Sequence, residues 1–283
     1  MTDATACSVL SVHEPLAGSA PHARGWFILE HPGPYGRVAT DALGDVAERL
    51  RDHCRDAGIT VLLARRPREN GRRAWLAVGR HMVEWDDLDP AAYLHVDLEA
   101  VAGGDVPVGA VSTTRPRLFI CTNGKRDACC AQFGRPLAES LMRDDDDVME
   151  CSHIGGHRMA PTALLLPVGS VHGRLTPDSA RLVLALARAG QLHRPSLRGL
   201  SYLSAPEQVA DIAVRDRAGI DTVQRLAVTS AGSESLDQYD VTTPDDRRWR
   251  VTLGRREGLE RPESCGKEPL TPAWWTVERV EAV

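Results

Sequence analysis

Lysine is almost missing from this chain: only Lys125 and Lys267 occur among its 34 basic residues, and 39 acidic residues outnumber them for a formal charge of −5. There is no basic field able to neutralise phosphates, so nucleic acid is not expected as a partner. Long apolar runs are missing as well. The longest, near 163–168, falls far short of the roughly 20 residues that span a bilayer, so no membrane partner is expected. The first twenty residues carry no basic leader, and Ser, His, Glu and Pro break their apolar positions. No secretory signal is readable, and a cytoplasmic location follows. A nucleophile–base–orienter set, a phosphate loop and a dinucleotide fingerprint are missing too. Nothing therefore points to a turnover reaction, and the chain is expected to be a carrier rather than an enzyme.

What is present is ample core material, 42% apolar in 283 residues, and an odd number of cysteines, seven. An odd count without a secretory signal argues for thiols, metal ligation or catalysis rather than a disulfide framework. Gly25–Glu30 reads as a buried strand ended by the turn His31-Pro-Gly-Pro-Tyr-Gly36. A helix capped by Thr40 and closed by Gly58 leads into the strand Ile59–Ala64, a β-α-β pattern, and Ala74–Val78 adds a strand. A second β-α-β pattern begins at Arg117–Ile120, continues through the helix 136–142 and the acidic turn 144–147, and returns in Val148–Cys151. Strands at 162–166 and 170–175 and a helix opened by Thr176-Pro-Asp-Ser and closed by Gly190 follow. After Gly199 a capping box, Ser204-Ala-Pro-Glu207, opens a helix to about Ala218, and strands near 222–228, 237–242 and 248–254 complete an α+β tail. The division expected is an N-terminal α/β module over 1–110, a middle domain over 111–200 and a C-terminal α+β extension over 201–283.

The chemistry concentrates in Cys151-Ser-His-Ile-Gly-Gly-His157. Two histidines four residues apart suit a zinc-protease helix, but the glutamate that would act as base is missing. Two adjacent glycines, each about 1 kcal/mol less helical than alanine, place the pair on a loop instead. Glycine lets such a loop wrap a bulky inorganic group. Cys121 and Cys130, separated by eight residues after a strand end, supply two thiols for a four-ligand set. Zinc accepts that set, although eight residues exceeds the usual knuckle spacing; a [2Fe-2S] cluster accepts it with imidazoles replacing thiolates. On the residues alone the two metals stand level.

The stretch from Phe119 through Cys130, with Cys151–His157 and Leu166–Arg174, resembles the sucrase/ferredoxin-like family, and the segment Gly25–Gly36, with its Trp-Phe and His-Pro-Gly-Pro, resembles the N-terminal part of its bacterial members. The resemblance implies a thioredoxin-like ferredoxin core in an α/β (α+β) chain. It also implies a bis-histidinyl [2Fe-2S] cluster on Cys121, Cys130, His153 and His157. Cys129 and Cys151 are read as neighbours, and Gly124, Arg126, Asp127, Gly155 and Gly156 as residues around the cluster, with Arg126 favouring its reduced form and Asp127 holding Arg126 or the loop. A redox protein or reductase is implied as electron partner, and a homodimer by analogy with thioredoxin-like ferredoxins.

The function expected is one-electron transfer, coupled to proton uptake because reduction adds negative charge beside an imidazole. A labile-cluster sensor or iron–sulfur carrier is the alternative, and structural zinc another. Cys54 belongs to a helix core and Cys7 is incidental in the N-terminal segment. Cys265 has no partner at metal spacing and is read as structural. The aspartates of 144–147 are read as solvated, lacking calcium-loop spacing. His172 and Arg174 face the site or cap the sheet, and no chemistry is demanded of His31 or Tyr35.

Overall fold

The computed structural model describes residues 6–67, 69, 71–87, 89–232 and 237–283. A four-residue helix α1 (Cys7–Leu10) leads to β1 (Gly25–Glu30), a 3-10 segment (Ala39–Val46), α2 (Ala47–Asp56) and β2 (Ile59–Arg65). Strands β3 (Ala74–Val78) and β4 (His81–Trp85), helix α3 (Leu98–Gly103) and β5 (Val111–Ser112) follow. The motif-bearing part comprises β6 (Arg117–Cys121), a π turn (Cys130–Gly134), α4 (Arg135–Met142), β7 (Val148–Cys151), β8 (Ala163–Leu166), β9 (Ser170–His172), α5 (Pro177–Arg188) and β10 (Leu197–Leu200). Ten strands form one mixed sheet in the order β10-β9-β8-β6-β7-β2-β1-β3-β4-β5. Both expected β-α-β units are present, since β1 pairs parallel with β2 and β6 parallel with β7. The chain is thus a mixed α/β protein consistent with a thioredoxin-like fold.

The sheet curls. Trp75 on β3 meets Phe119 on β6 at 5.6 Å although three strands lie between them in the sheet order. The Trp26 indole on β1 donates to the Ser201 hydroxyl just beyond β10 at 2.9 Å. Arg117 on β6 pairs with Glu84 on β4 at 2.7 Å. The inner face so formed buries Trp26, Trp75, Phe119 and Met149 together with Cys121, Cys130 and Cys151. The outer face carries α2 and α3 on one half and α4 and α5 on the other.

The C-terminal part is α6 (Ala205–Ala218) packed on a four-stranded sheet in the order β11-β12-β13-β16. Its strands are β11 (Ala227–Ser230), β12 (Gln238–Thr242), β13 (Arg248–Glu257) and β16 (Ala273–Ala282), and a two-stranded ribbon of β14 (Arg261–Pro262) and β15 (Pro269–Leu270) intervenes. The capping boxes at Thr176 and Ser204 are both formed, so two helix starts are set locally.

Two local expectations fail. Thr40 does not cap a helix: it is buried inside a 3-10 segment, because Gly44 adopts a φ of 64° that interrupts the turn and α2 begins only at Ala47. The acidic turn is not fully solvated, since Asp147 is buried and takes ion pairs from Arg115 at 2.6 Å and Arg188 at 2.6 Å. With Arg117 of β6 at 3.5 Å, three arginines neutralise it, so the carboxylate ties β6 to α5.

His172 ends β9 fully buried, its Nε2 3.0 Å from the Ser170 hydroxyl and its Nδ1 2.9 Å from that of Ser196. Both ring nitrogens are thus taken by hydroxyls, one on β9 and one just before β10. Burial, with His193 and Arg198 nearby, pushes its imidazole down to about 3. In the unfolded chain it titrates near 6.5. Between these values only the unfolded state binds the proton, so the stability difference is absent above about pH 7 and grows as pH falls. His172 alone is expected to cost about 2 kcal/mol of unfolding free energy between pH 7 and pH 5. Urea unfolding of His172→Gln at both values checks this: the variant should lose that part of the slope, and an unchanged slope would contradict it.

Candidate metal centre

Two parallel strands deliver the site. β6 and β7 run side by side with Cys121 opposite Cys151 at their ends, so the loops that follow leave the sheet together. That is where an open α/β sheet presents a ligand site, outside the carboxyl ends of its strands. After β6 the chain turns through Asn123 and Gly124, and the π turn brings Cys130 back beneath Cys121. The return is close. A Cβ on Gly134 would collide with the Cys121 carbonyl oxygen, which is why the turn has glycine there. After β7 the chain carries His153 to the thiols, and Gly155 and Gly156, with φ values of 106° and 70°, turn it so that the His157 ring stands beside that of His153 while His157 lies outside the group formed by Cys121, Cys130 and His153. The two imidazoles are not on a shared helix: His157 opens a three-residue 3-10 turn.

Cys121, Cys130 and His153 converge. The His153 Nδ1 lies 3.8 Å from Cys121 Sγ and 3.7 Å from Cys130 Sγ. Both thiols are buried, and a hydrogen bond from Cys130 followed by contact with His153 holds Cys121 well below the usual thiol range. The proton shared between the sulfurs thus favours the Cys121 thiolate. The His157 ring stands 5.4 Å from that of His153. Its Nε2 lies 2.9 Å from the Glu263 carbonyl and 3.6 Å from the Asp127 carboxylate. In the neutral imidazole an N–H at Nε2 leaves Nδ1 bare, and the His157 Nδ1 is buried with no partner among the described residues. Burial holds this imidazole below its ordinary value, favouring the neutral form that a ligand needs.

The surroundings differ from expectation in three places. Arg126 is exposed and does not take the part assigned to it. The cation beside the site is Arg198, fully buried, whose Nη1 donates to the Gly155 carbonyl at 3.0 Å and whose Nη2 bonds the Ser19 carbonyl. Burial pushes its guanidinium down to about 9, against the pull of Cys121 and Cys130. A Cβ on Gly156 would land inside that guanidinium. Second, of the two parts open to Asp127 it takes the loop and not Arg126: it accepts from the backbone N–H of Cys129 at 2.9 Å, and also from Ser264 Oγ at 2.7 Å and the backbone N–H of Cys265 at 3.0 Å.

Third, Cys129 turns its sulfur away from Cys130, to 3.3 Å from Cys265 and 3.5 Å from Cys7. Cys7 is therefore not incidental but fully buried, and Cys265 does have partners. Hydrogen bonding, first from Cys7, pulls the Cys129 thiol down to about 6.

Cys151 stays a buried core thiol beside Cys121, and Gly124 packs against Ala131. Arg174 reaches the Ser11 and Glu14 carbonyls rather than the thiols. The turn at 31–36 is not idle: Tyr35 donates to the Glu150 carbonyl at 3.3 Å, and the Gly36 carbonyl accepts from Asn123 Nδ2 at 3.1 Å, which fixes the loop carrying Cys121 into the site. Arg198, between Leu197 and Gly199, carried no sequence signal beyond a charge inside a strand; a charge amid buried neighbours is the only hint it offered.

Compared with known proteins, residues 16–199, more than half of the chain, match the family described as sucrase/ferredoxin-like. No curated protein and no solved structure gives a significant match. Among the described residues no helix is long and apolar enough to cross a membrane.

Proposed function

Since the chain belongs to the sucrase/ferredoxin-like family, we propose that it is a one-electron carrier whose [2Fe-2S] cluster is held by Cys121, Cys130, His153 and His157. When bound, such a cluster supplies a single-electron couple. The observation that carries this reading is the convergence of two buried thiols on the His153 Nδ1; His157, whose ring stands 5.4 Å from that of His153 and whose Nδ1 is buried without a partner among the described residues, is assigned as the fourth donor. Soft sulfur and neutral imidazole form a donor set that iron–sulfur centres accept.

The residues around the ligands give them fixed roles. Glu263 keeps the His157 proton on Nε2. Such outer bonds orient ligand histidines and raise their basicity. Arg198 places a buried positive charge where it interacts with both cysteine ligands, which favours added negative charge there and raises the potential. The thiols are buried while both imidazoles are half-buried, so a redox partner meets the histidine edge. Buried thiols favour a retained cluster over the labile sensor or carrier reading.

Protein purified without oxygen is expected to contain iron and acid-labile sulfide in equal amounts and to absorb in the visible, bleaching on uptake of one electron per chain. A colourless protein free of iron after anaerobic purification would overturn the proposal.

A further inference from the structure

Three cysteines that the redox reading leaves unused meet at one point. Cys7 comes from α1, Cys129 from the start of the π turn and Cys265 from the loop between β14 and β15. Their sulfurs form a closed triangle with sides of 3.5, 3.3 and 3.6 Å. Both oxygens of Asp127 lie 3.9 Å from Cys7 Sγ, and all four donor groups fall within 4.8 Å of one another. Ala6, Ala160 and Phe133 wall the group off from water, leaving only Cys265 half-buried.

We propose that Cys7, Cys129, Cys265 and Asp127 form a second metal site that binds one zinc ion. Zinc–sulfur bonds of about 2.3 Å in a tetrahedron set the sulfurs about 3.8 Å apart, so the triangle needs to open only by a few tenths of an ångström. A cluster of several irons spreads its thiolates over different irons and fits a triangle this tight less well. Disulfide pairing leaves one thiol over, and the sulfurs stand far beyond the bonding distance of about 2.05 Å.

The donors are held ready. The backbone N–H groups of Cys129 and Cys265 and the Ser264 hydroxyl orient the Asp127 carboxylate, and the Ser8 hydroxyl donates to Cys129 Sγ at 3.3 Å. Zinc enters as the dication and displaces the thiol protons to solvent. Its effect is to fasten the N-terminal helix and the 263–268 loop to the segment between Cys121 and Cys130. That loop carries Glu263, the partner of His157.

This inference does not depend on the electron-carrier reading, and metal analysis separates the two. Anaerobically purified protein is expected to contain about one zinc per chain in addition to its iron. Cys265→Ala should lose the zinc and keep iron and visible absorption, whereas Cys121→Ala should lose the iron and keep the zinc. If Cys265→Ala does not fold, wild-type protein dialysed against a chelator should show the same loss of zinc with its colour intact. A wild-type chain without zinc, zinc that leaves with Cys121→Ala but stays in Cys265→Ala, or two of the three thiols found as a disulfide would each overturn the proposal.

Discussion

Cys130→Ala is expected to abolish iron binding and visible absorption, whereas Cys129→Ala leaves both close to the wild-type level. The two cysteines are adjacent in sequence, and successive residues of a helical turn point roughly 100° apart. In the π turn this sends Cys130 Sγ to 3.7 Å from His153 and Cys129 Sγ to 3.3 Å from Cys265. Removing a group that merely orients a metal ligand costs about 10–100-fold in affinity, so removing the ligand itself should cost more. Iron per chain and absorbance, measured on both variants after identical anaerobic purification, check the prediction. Equal iron loss from the two would mean that the sulfurs exchange roles.

Gly134→Ala is expected to be strongly disruptive, although it adds a single methyl group. Its Cβ would fall well inside 3.0 Å of the Cys121 carbonyl oxygen and 3.2 Å from the carbonyl carbon, and both are backbone atoms that cannot swing aside. Relief requires the π turn to lift off β6, which separates Cys130 from Cys121. Overpacking of this kind costs about 3 kcal/mol or somewhat more, on the order of 5–10 °C in melting temperature. The matching control is Gly103→Ala, where the added Cβ meets nothing within 4 Å and φ is ordinary. Thermal melts of both variants, with iron content in parallel, test the geometry: a Gly134→Ala protein as stable and as iron-rich as the control would show that the close approach is not real.

Local signals carried much of this fold into the sequence. Strand ends stop where turn residues begin, as at Glu30 and Cys121, and the Thr176 cap and the Ser204 capping box mark α5 and α6 because their hydrogen bonds join residues three apart. The proposed ligands were legible for the same reason: each pair lies on one short loop. What was illegible depends on distant chain. β4 was missed in an Asp- and Gly-rich stretch whose strand is held by its hairpin with β3. β16 was missed because a bulge opposite Thr252 and Leu253 shifts its inward residues from Trp275 to Val280, an odd spacing that breaks the alternation. Cys7, Cys129 and Cys265 lie 122 and 136 positions apart along the chain, and no spacing rule reaches that far. Arg126 was favoured over Arg198 only because it stands in the motif, whereas burial decides which guanidinium the thiols feel.

The curl of the sheet has a consequence for cooperativity. Trp26 and Trp75, from the first third of the chain, share one packed interior with Phe119, Met149 and the cysteines at the ends of β6 and β7. Neither half of the sheet can open without exposing the other's aromatic side chains to water, so the two halves should melt in a single transition. The positions of Cys121 and Cys130 are then as rigid as the whole interior, and a cavity made at Trp75, in a strand that contributes no ligand, would be felt at the metal.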